Sequence, residues 1–461
     1  MPRYDMRDVI IVLPGITGSV LKKNGVTVWG YSSSTIAQAL FTHGGSMEEA
    51  LALPHDDPNL DDVGDGIVAD ALMPDLHLLP GIWKIDGYGK IVEAIKNNFE
   101  VFEGKNFFQF PYDWRRDNRV SARKLAKAAH GWLSDWRQSS GNDQARLILV
   151  GHSMGGLVSR YFLECMEGWK TTKALVTFGT PYRGSLSALD GLANGLKKGP
   201  LDLSKLAHQL TAVYQLLPVF ECYDPGDGQL LRVGEASGIP NVDAGKAAAA
   251  LAFHREIEAA VAQNQKLSMY KSAGYHIYPV VGVAQQTSLS ARRAGSKVDL
   301  LTTYKGDALG GDGTVPRISA IPIELSATPT AAMYVGTQHG SLQNADAVIT
   351  HLTGLLSGLD LNLGDFKKPK AQIALEVEDL YLVGESITVR ARPSKAEVNL
   401  RAELWRSGVQ HPVASRELRH VDADWLGAEF ESPEAGAYRV TIRGADAETA
   451  EDSLVVLGFG G

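Results

Sequence analysis

The chain has 461 residues, 44% hydrophobic and 21% charged, with a formal net charge of −8 at pH 7. That length and balance suit a folded protein of one large and one small domain and exclude a disordered or low-complexity chain. A net negative charge without long runs of one sign argues against a nucleic-acid surface and gives no attraction to anionic lipid.

The amino terminus, Met1 to Asp8, leads directly into the apolar run Val9 to Leu13, without the apolar core and small-residue cleavage site of a secretory leader. No stretch reaches the roughly 18–20 apolar residues of a membrane span, so a soluble, cytoplasmic protein is expected. Further strand-like runs follow at Asn106 to Phe110, Leu147 to Val150, Ala174 to Phe178, His276 to Val283 and Ala332 to Val335. Helical patterns stand between them at Lys90 to Asn98, Val120 to Arg137, Leu157 to Cys165 and Asn344 to Leu356. Alternation of this kind predicts an α/β fold, a mostly parallel sheet with helices on both faces. Two intervals break the rhythm, Val26 to Pro80 and the leucine-rich stretch Ser185 to Gly274. Both are expected to be insertions above the carboxyl edge of the sheet, where lids and substrate caps sit.

Past the polar linker Asp365 to Lys370, the period changes to two: Ile373, Leu375, Val377; Ile387, Val389, Ala391; Val398, Leu400, Ala402, Leu404. More strands are expected at 429–431, 438–442 and 454–457. The expected division is a catalytic domain over 1–366 and a β-sandwich of immunoglobulin-like character over 371–461. The two cysteines, Cys165 on a helix face and Cys222 in a loop-like stretch, are expected to be reduced rather than bridged.

Chemistry concentrates at Gly151-His152-Ser153-Met154-Gly155. An apolar strand precedes it and an amphipathic helix follows, which is the setting of a Gly-x-Ser-x-Gly nucleophile elbow with Ser153 lifted clear of the sheet. A serine hydroxyl needs a histidine to take its proton and an acid to orient that histidine. In this architecture the chain order is serine, acid, histidine. Asp312, in Gly310-Gly311-Asp312-Gly313-Thr314-Val315-Pro316, is the acid candidate, with Asp307 its neighbour and competitor. Gly-Asp-Gly also marks ordinary surface turns, so spacing alone leaves that choice open. His339, between the strand ending at Val335 and the helix near Asn344, occupies the loop where such a sheet delivers its base. His254 and His351 sit within helical patterns, and His152 is expected to pack against and support the elbow. The amide of Met154 is one candidate oxyanion donor, and Ile16 in Leu13-Pro14-Gly15-Ile16-Thr17-Gly18-Ser19 is the second. A phosphate-cradling loop would look similar, but the Gly-Lys-Ser/Thr ending is missing. No metal or cofactor is expected, because the histidines lack ligand spacing and the cysteines stand alone.

With these residues in hand, the chain resembles the lecithin:cholesterol acyltransferase and lysosomal phospholipase A2 family of α/β-hydrolases. The matching pieces are Pro14 to Ser19, Pro111-Tyr112-Asp113-Trp114-Arg115, Gly151 to Gly156, Gly179-Thr180-Pro181, Val213 to Pro218 and Gly311 to Pro316, in the family's order. The resemblance implies Ser153, Asp312 and His339 as triad, Ile16 and Met154 as oxyanion donors, and structural roles for Asp113 and Trp114. Residues 26–80 contain no cysteine, unlike the disulfide-closed lid of secreted relatives. Lid geometry and a sterol acceptor therefore do not carry over, and a cytoplasmic, bacterial-type member is expected. The short lead before Val9 also implies a sheet trimmed at one edge. The tail beyond Lys368 has no counterpart in the family core.

The activity implied is acyl transfer from a lipid carboxylic ester, as a phospholipase, lysophospholipase or O-acyltransferase. Leu186, Leu189, Leu192 and Leu196, with the leucines from 201 to 217, offer an acyl channel or a cap for peripheral membrane contact, or simply packing. One rival is an esterase or thioesterase on soluble acyl esters. Another is an interaction protein with a hydrolase-like scaffold, whose sandwich binds protein or carbohydrate.

Overall fold

The computed structural model describes residues 3–30, 45–73, 77–79, 83–198, 201–273, 275–326, 332–358, 371–395, 398–422, 424–444 and 447–458. The linker expected at 365–370 lies outside these residues, as does part of the interval 26–80.

All six predicted apolar runs form strands of a single sheet, in the order Met333–Val335, His276–Gly282, Thr172–Phe178, Leu147–His152, Val9–Leu13 and Phe107–Gln109. Every pairing is parallel. Val9–Leu13 and Leu147–His152 are buried along their whole length, as continuous apolar runs must be when helices cover both faces. The helices are Gly89–Asn98, Asn118–Ser140, Met154–Cys165 and Asp346–Leu356. Asn118–Ser140 begins at Asp117, whose carboxylate accepts the Arg119 N–H, and ends at Gly141 in the left-handed region. Its buried positions include Val120, Leu125, Ala129 and Leu133, a single apolar stripe laid on the sheet. The architecture is that of an α/β-hydrolase, with every central strand delivering its carboxyl end to the same edge.

The insertions are more mixed than their composition predicts. Ser19–Lys23, Val26–Trp29 and Ile67–Leu72 form a three-stranded antiparallel sheet. The interval 185–274 holds the helices Leu186–Ala193, Ser204–Gln209, Thr211–Tyr214, Ala244–Asn264 and Ser268–Ala273. The longest of these, Ala244–Asn264, does not stand over the carboxyl edge. It packs Phe253, Ile257 and Val261 against Tyr161 and Cys165, on the flank of the helix that follows Ser153. A four-stranded sheet of Leu231–Arg232, Glu221–Asp224, Ser290–Ala294 and Lys297–Leu301 was not expected. Its strands are short, and Cys222, Tyr223, Ala291 and Val298 supply nearly all their buried apolar surface, too little for a clear alternation. Cys222 therefore lies in a strand rather than a loop, and both cysteines are free thiols.

Residues 371–458 bury a second apolar cluster, separate from the one around the central sheet. Among the described residues it is a nine-stranded β-sandwich. One sheet orders Ile373–Val377, Ile387–Pro393, Trp425–Phe430 and Arg419–Asp422; the other orders Leu380–Leu382, Ala450–Leu457, Gly436–Arg443, Arg401–Arg406 and Ala414–Glu417. Ile387, Val389 and Ala391 face inward from the first, meeting Ala402, Leu404, Val440 and Ile442 of the second. This is the face-to-face packing of two half-buried sheets.

Candidate active site

The strand Leu147–His152 ends where Ser153 takes φ 50° and ψ −122°, and the helix starts at Met154. A positive φ at a residue with a β-carbon is strained and persists only where its surroundings hold it. Here the Ser153 N–H donates to the Phe178 carbonyl at 2.8 Å. Gly155 must be bare because a β-carbon would run into the Leu13 and Pro14 carbonyl oxygens. Gly15 must be bare because its β-carbon would lie 2.9 Å from that of Ser153. The loop after the first strand is thus pressed directly onto the elbow.

Ser153, at the end of Leu147–His152, is brought together with His339, just past Met333–Val335, and with Asp312 from the loop between Lys297–Leu301 and Met333–Val335. His339 Nε2 lies 2.9 Å from Ser153 Oγ, and His339 Nδ1 lies 2.8 Å from Asp312 Oδ2. The other Asp312 oxygen accepts the N–H groups of Val315 at 2.6 Å and Thr314 at 2.9 Å, while the His339 N–H donates to the Asp312 carbonyl at 2.8 Å. Ser153, His339 and Asp312 are 5%, 7% and 1% exposed. The other candidates lie elsewhere. Asp307 is exposed, its backbone paired with Tyr304. His254 bonds through Nε2 to the Gln215 carbonyl, and His351 is half-buried on the helix Asp346–Leu356.

The Ile16 and Met154 N–H groups find no acceptor among the described residues, and both residues are buried beside Ser153. That is what an oxyanion site requires before substrate arrives. The loop carrying Ile16 is closed by the Gly18 N–H donating to the Gly15 carbonyl at 3.0 Å. It is tied down by the Gly15 N–H donating to the Tyr88 hydroxyl at 2.7 Å. Tyr88 Oη is 2.9 Å from His152 Nδ1, and His152 Nε2 is 3.0 Å from the His339 carbonyl. A carbonyl only accepts, so Nε2 of His152 carries the proton and its bare Nδ1 accepts the Tyr88 hydroxyl proton. Burial, with the nearby His339 ring, holds the His152 pKa down to about 3, so this imidazole stays neutral. Burial pushes the Tyr88 phenol well up.

His152 supports the elbow as expected, but Tyr88 and Gly179 were not foreseen. A β-carbon on Gly179 would lie 2.8 Å from both Asp312 Oδ2 and His339 Nδ1. Its place in Gly179-Thr180-Pro181 was the available signal; nothing in Asp86-Gly87-Tyr88-Gly89 points at residue 15. Asp113 and Trp114 are structural. Asp113 pairs with the buried Arg115, which also holds Asp65 at 2.7 Å, and the Trp114 Nε1–H donates to the Ser19 carbonyl. Leu196, Leu203, Leu206, Leu210 and Val213 line an apolar cleft with Trp29 and Trp114, and Thr17 forms part of its wall. Leu203, Leu206 and Leu210 are buried in the same core as the fully buried Leu186, Leu189 and Leu192, so most of these leucines serve as packing.

A parallel sheet with a serine at the strand-to-helix turn, meeting a histidine and an aspartate from later loops, places the chain among the α/β-hydrolases. Residues 83–233 match the family model described as lecithin:cholesterol acyltransferase. The segment contains Ser153 and stops short of Asp312 and His339. Among curated proteins, human lysosomal phospholipase A and acyltransferase is 29% identical over 123 residues, covering 25% of this chain and 29% of that protein. Lecithin-cholesterol acyltransferase-like 1 of Arabidopsis thaliana is 27% identical over 155 residues, covering 30% of this chain and 36% of that one. The matches thus span only about a third of these relatives' length. The mature Bacillus licheniformis lipase BlEst2 is 15% identical, covers 77% of this chain and 93% of its own, and superposes with a TM-score of 0.33.

Among the described residues no helix is long and apolar enough to cross a membrane, and no three His, Cys, Asp or Glu side chains are grouped to hold a metal ion.

Proposed function

We propose that the chain is a serine-dependent ester hydrolase or acyltransferase acting on lipid carboxylic esters, with residues 1–366 as catalytic domain and 371–461 as an appended sandwich. The observation that carries this reading is the continuous hydrogen-bonded line from Ser153 Oγ through His339 to Asp312. Ser153 Oγ attacks the ester carbonyl carbon as His339 Nε2 takes its proton. Asp312 holds the ring so that Nδ1–H faces the carboxylate and Nε2 faces the serine. The oxyanion forming on the carbonyl oxygen receives the N–H groups of Ile16 and Met154. His339 then returns the proton to the departing alkoxide, leaving an acyl group on Ser153. Water or a second alcohol, deprotonated by His339, releases it.

The lipid character of the substrate is supported by the lecithin:cholesterol acyltransferase model that residues 83–233 match. Mass-spectrometric profiling of phospholipid and lysophospholipid vesicles, incubated with wild type and with Ser153→Ala, tests the proposal. Fatty acid or transferred acyl product is expected from the wild type, falling by about 10⁴-fold or more in the variant with the fold retained. Turnover restricted to short soluble esters would favour the esterase rival, and an equally active Ser153→Ala would remove the site.

A further inference from the structure

The sandwich does not hang from the hydrolase by its linker alone. Its strand Ile373–Val377 lies at the edge of a sheet, paired on one side with Ile387–Pro393. The other side of an edge strand presents unpaired N–H and C=O groups that must be satisfied or wetted. Gln285 of the hydrolase does this as a peptide would: its Nε2–H donates to the Ile373 carbonyl at 3.1 Å, and its Oε1 accepts the Leu375 N–H at 3.2 Å. Gln338 adds a third bond, from Nε2–H to the Leu375 carbonyl at 2.8 Å. Two side-chain amides thus extend the sandwich sheet by a surrogate strand.

Both glutamines belong to loops that carry the site. Gln338 immediately precedes His339. The Gln285 N–H donates to the Gly311 carbonyl at 3.1 Å, one residue before Asp312. The Gln285 carbonyl accepts the Thr287 hydroxyl, and that hydroxyl oxygen accepts the Gly313 N–H at 2.9 Å, one residue after Asp312. On the other side of His339, the Asp86 N–H donates to the Gly340 carbonyl at 2.8 Å, and Asp86 meets Ser453 and Arg439 of the sandwich. The acid and the histidine are therefore flanked on each side by residues whose partners lie in, or lead to, the carboxyl-terminal sheets.

We infer that the sandwich is a positioning domain: its edge strand, acting through Gln285 and Gln338, fixes the Asp312 and His339 loops at the mutual distance proton transfer to and from Ser153 requires. The inference rests on the triad reading proposed above. Side chains anchored this way lose little reach to thermal wandering, and a misplacement near 1 Å in such a constellation costs about 100-fold in rate.

The test uses the full chain carrying Gln338→Ala, Gln285→Ala, or both, with Ser153→Ala alongside. Steady-state kinetics on a soluble short-chain nitrophenyl ester, fluorophosphonate labelling rates and thermal unfolding are read on each. In folded glutamine variants kcat is expected to fall about 10- to 100-fold, with labelling slowed in parallel and KM held within about twofold. Undiminished kcat in the folded double variant, or a rise in KM alone, overturns the positioning role while an inactive Ser153→Ala leaves the triad standing. An active Ser153→Ala overturns the triad, and the inference with it. If the variants at Gln285 fail to fold, Gln338→Ala, altering a half-buried side chain, decides by the same criteria.

Discussion

Ser153 sits at a backbone angle that its neighbours impose, and the same neighbours leave little freedom to any atom around it. Gly179 shows how narrow the tolerance is. Because a β-carbon there would press on both members of the Asp312–His339 contact, Gly179→Ala is expected to lower kcat on a soluble ester by about 100-fold with KM little changed. Steady-state kinetics checks this, and a variant with native kcat would show that the contact yields without cost. His152 makes a different statement. Its folded pKa of about 3 lies below the ordinary 6.5. The unfolded chain therefore takes up a proton between those values that the folded chain refuses. Stability from this group is complete above about pH 6.5 and is lost as pH falls, by up to ~1.4 kcal/mol per pH unit. Urea midpoints at pH 7 and pH 5 are expected to diverge less in His152→Gln than in the wild type.

Among the elements, the central sheet was the most legible part of the chain. Strands such as Val9–Leu13 and Leu147–His152 are buried on both faces, so apolar content alone marks them. The elbow was legible because its function demands a strand, a bare turn and a helix in that order. Asp312 was not legible from spacing: its identity depends on the Val315 and Thr314 amides and on Gly179, contacts made across distant segments. The surrogate strand formed by Gln285 and Gln338 was equally hidden, since a glutamine carries no signal of what its amide will meet. The cap lies between these extremes. Its leucines read correctly as apolar, but only the fold shows that Leu189 and Leu206 are both packed inside, with Leu206 also bordering the small cleft beside Trp29 and Trp114.

Across the whole molecule, the seam between hydrolase and sandwich carries a titratable group of its own. The Asp86 carboxylate is buried there with Arg439 at 3.8 Å and with Glu451 nearby, and burial first, then Glu451, lifts its pKa to about 6. A carboxyl whose folded pKa exceeds its unfolded value stabilises the fold fully only below the unfolded value, near 3.8, and that contribution is lost as pH rises through about 6. Asp86→Asn is therefore expected to raise stability at pH 7 by about 1–3 kcal/mol, the gain shrinking toward pH 4, as denaturant midpoints at the two pH values will report. In the wild type this trend opposes that of His152, so the two variants separate effects that partly cancel.

Peptide mapping after fluorophosphonate labelling probes the Ser153–His339 line most directly. Wild-type protein should carry one adduct, on Ser153, and His339→Ala should label at least about 100-fold more slowly. An adduct on another residue, or undiminished labelling of Ser153 in His339→Ala, would contradict the assignment of this serine and this histidine as nucleophile and base.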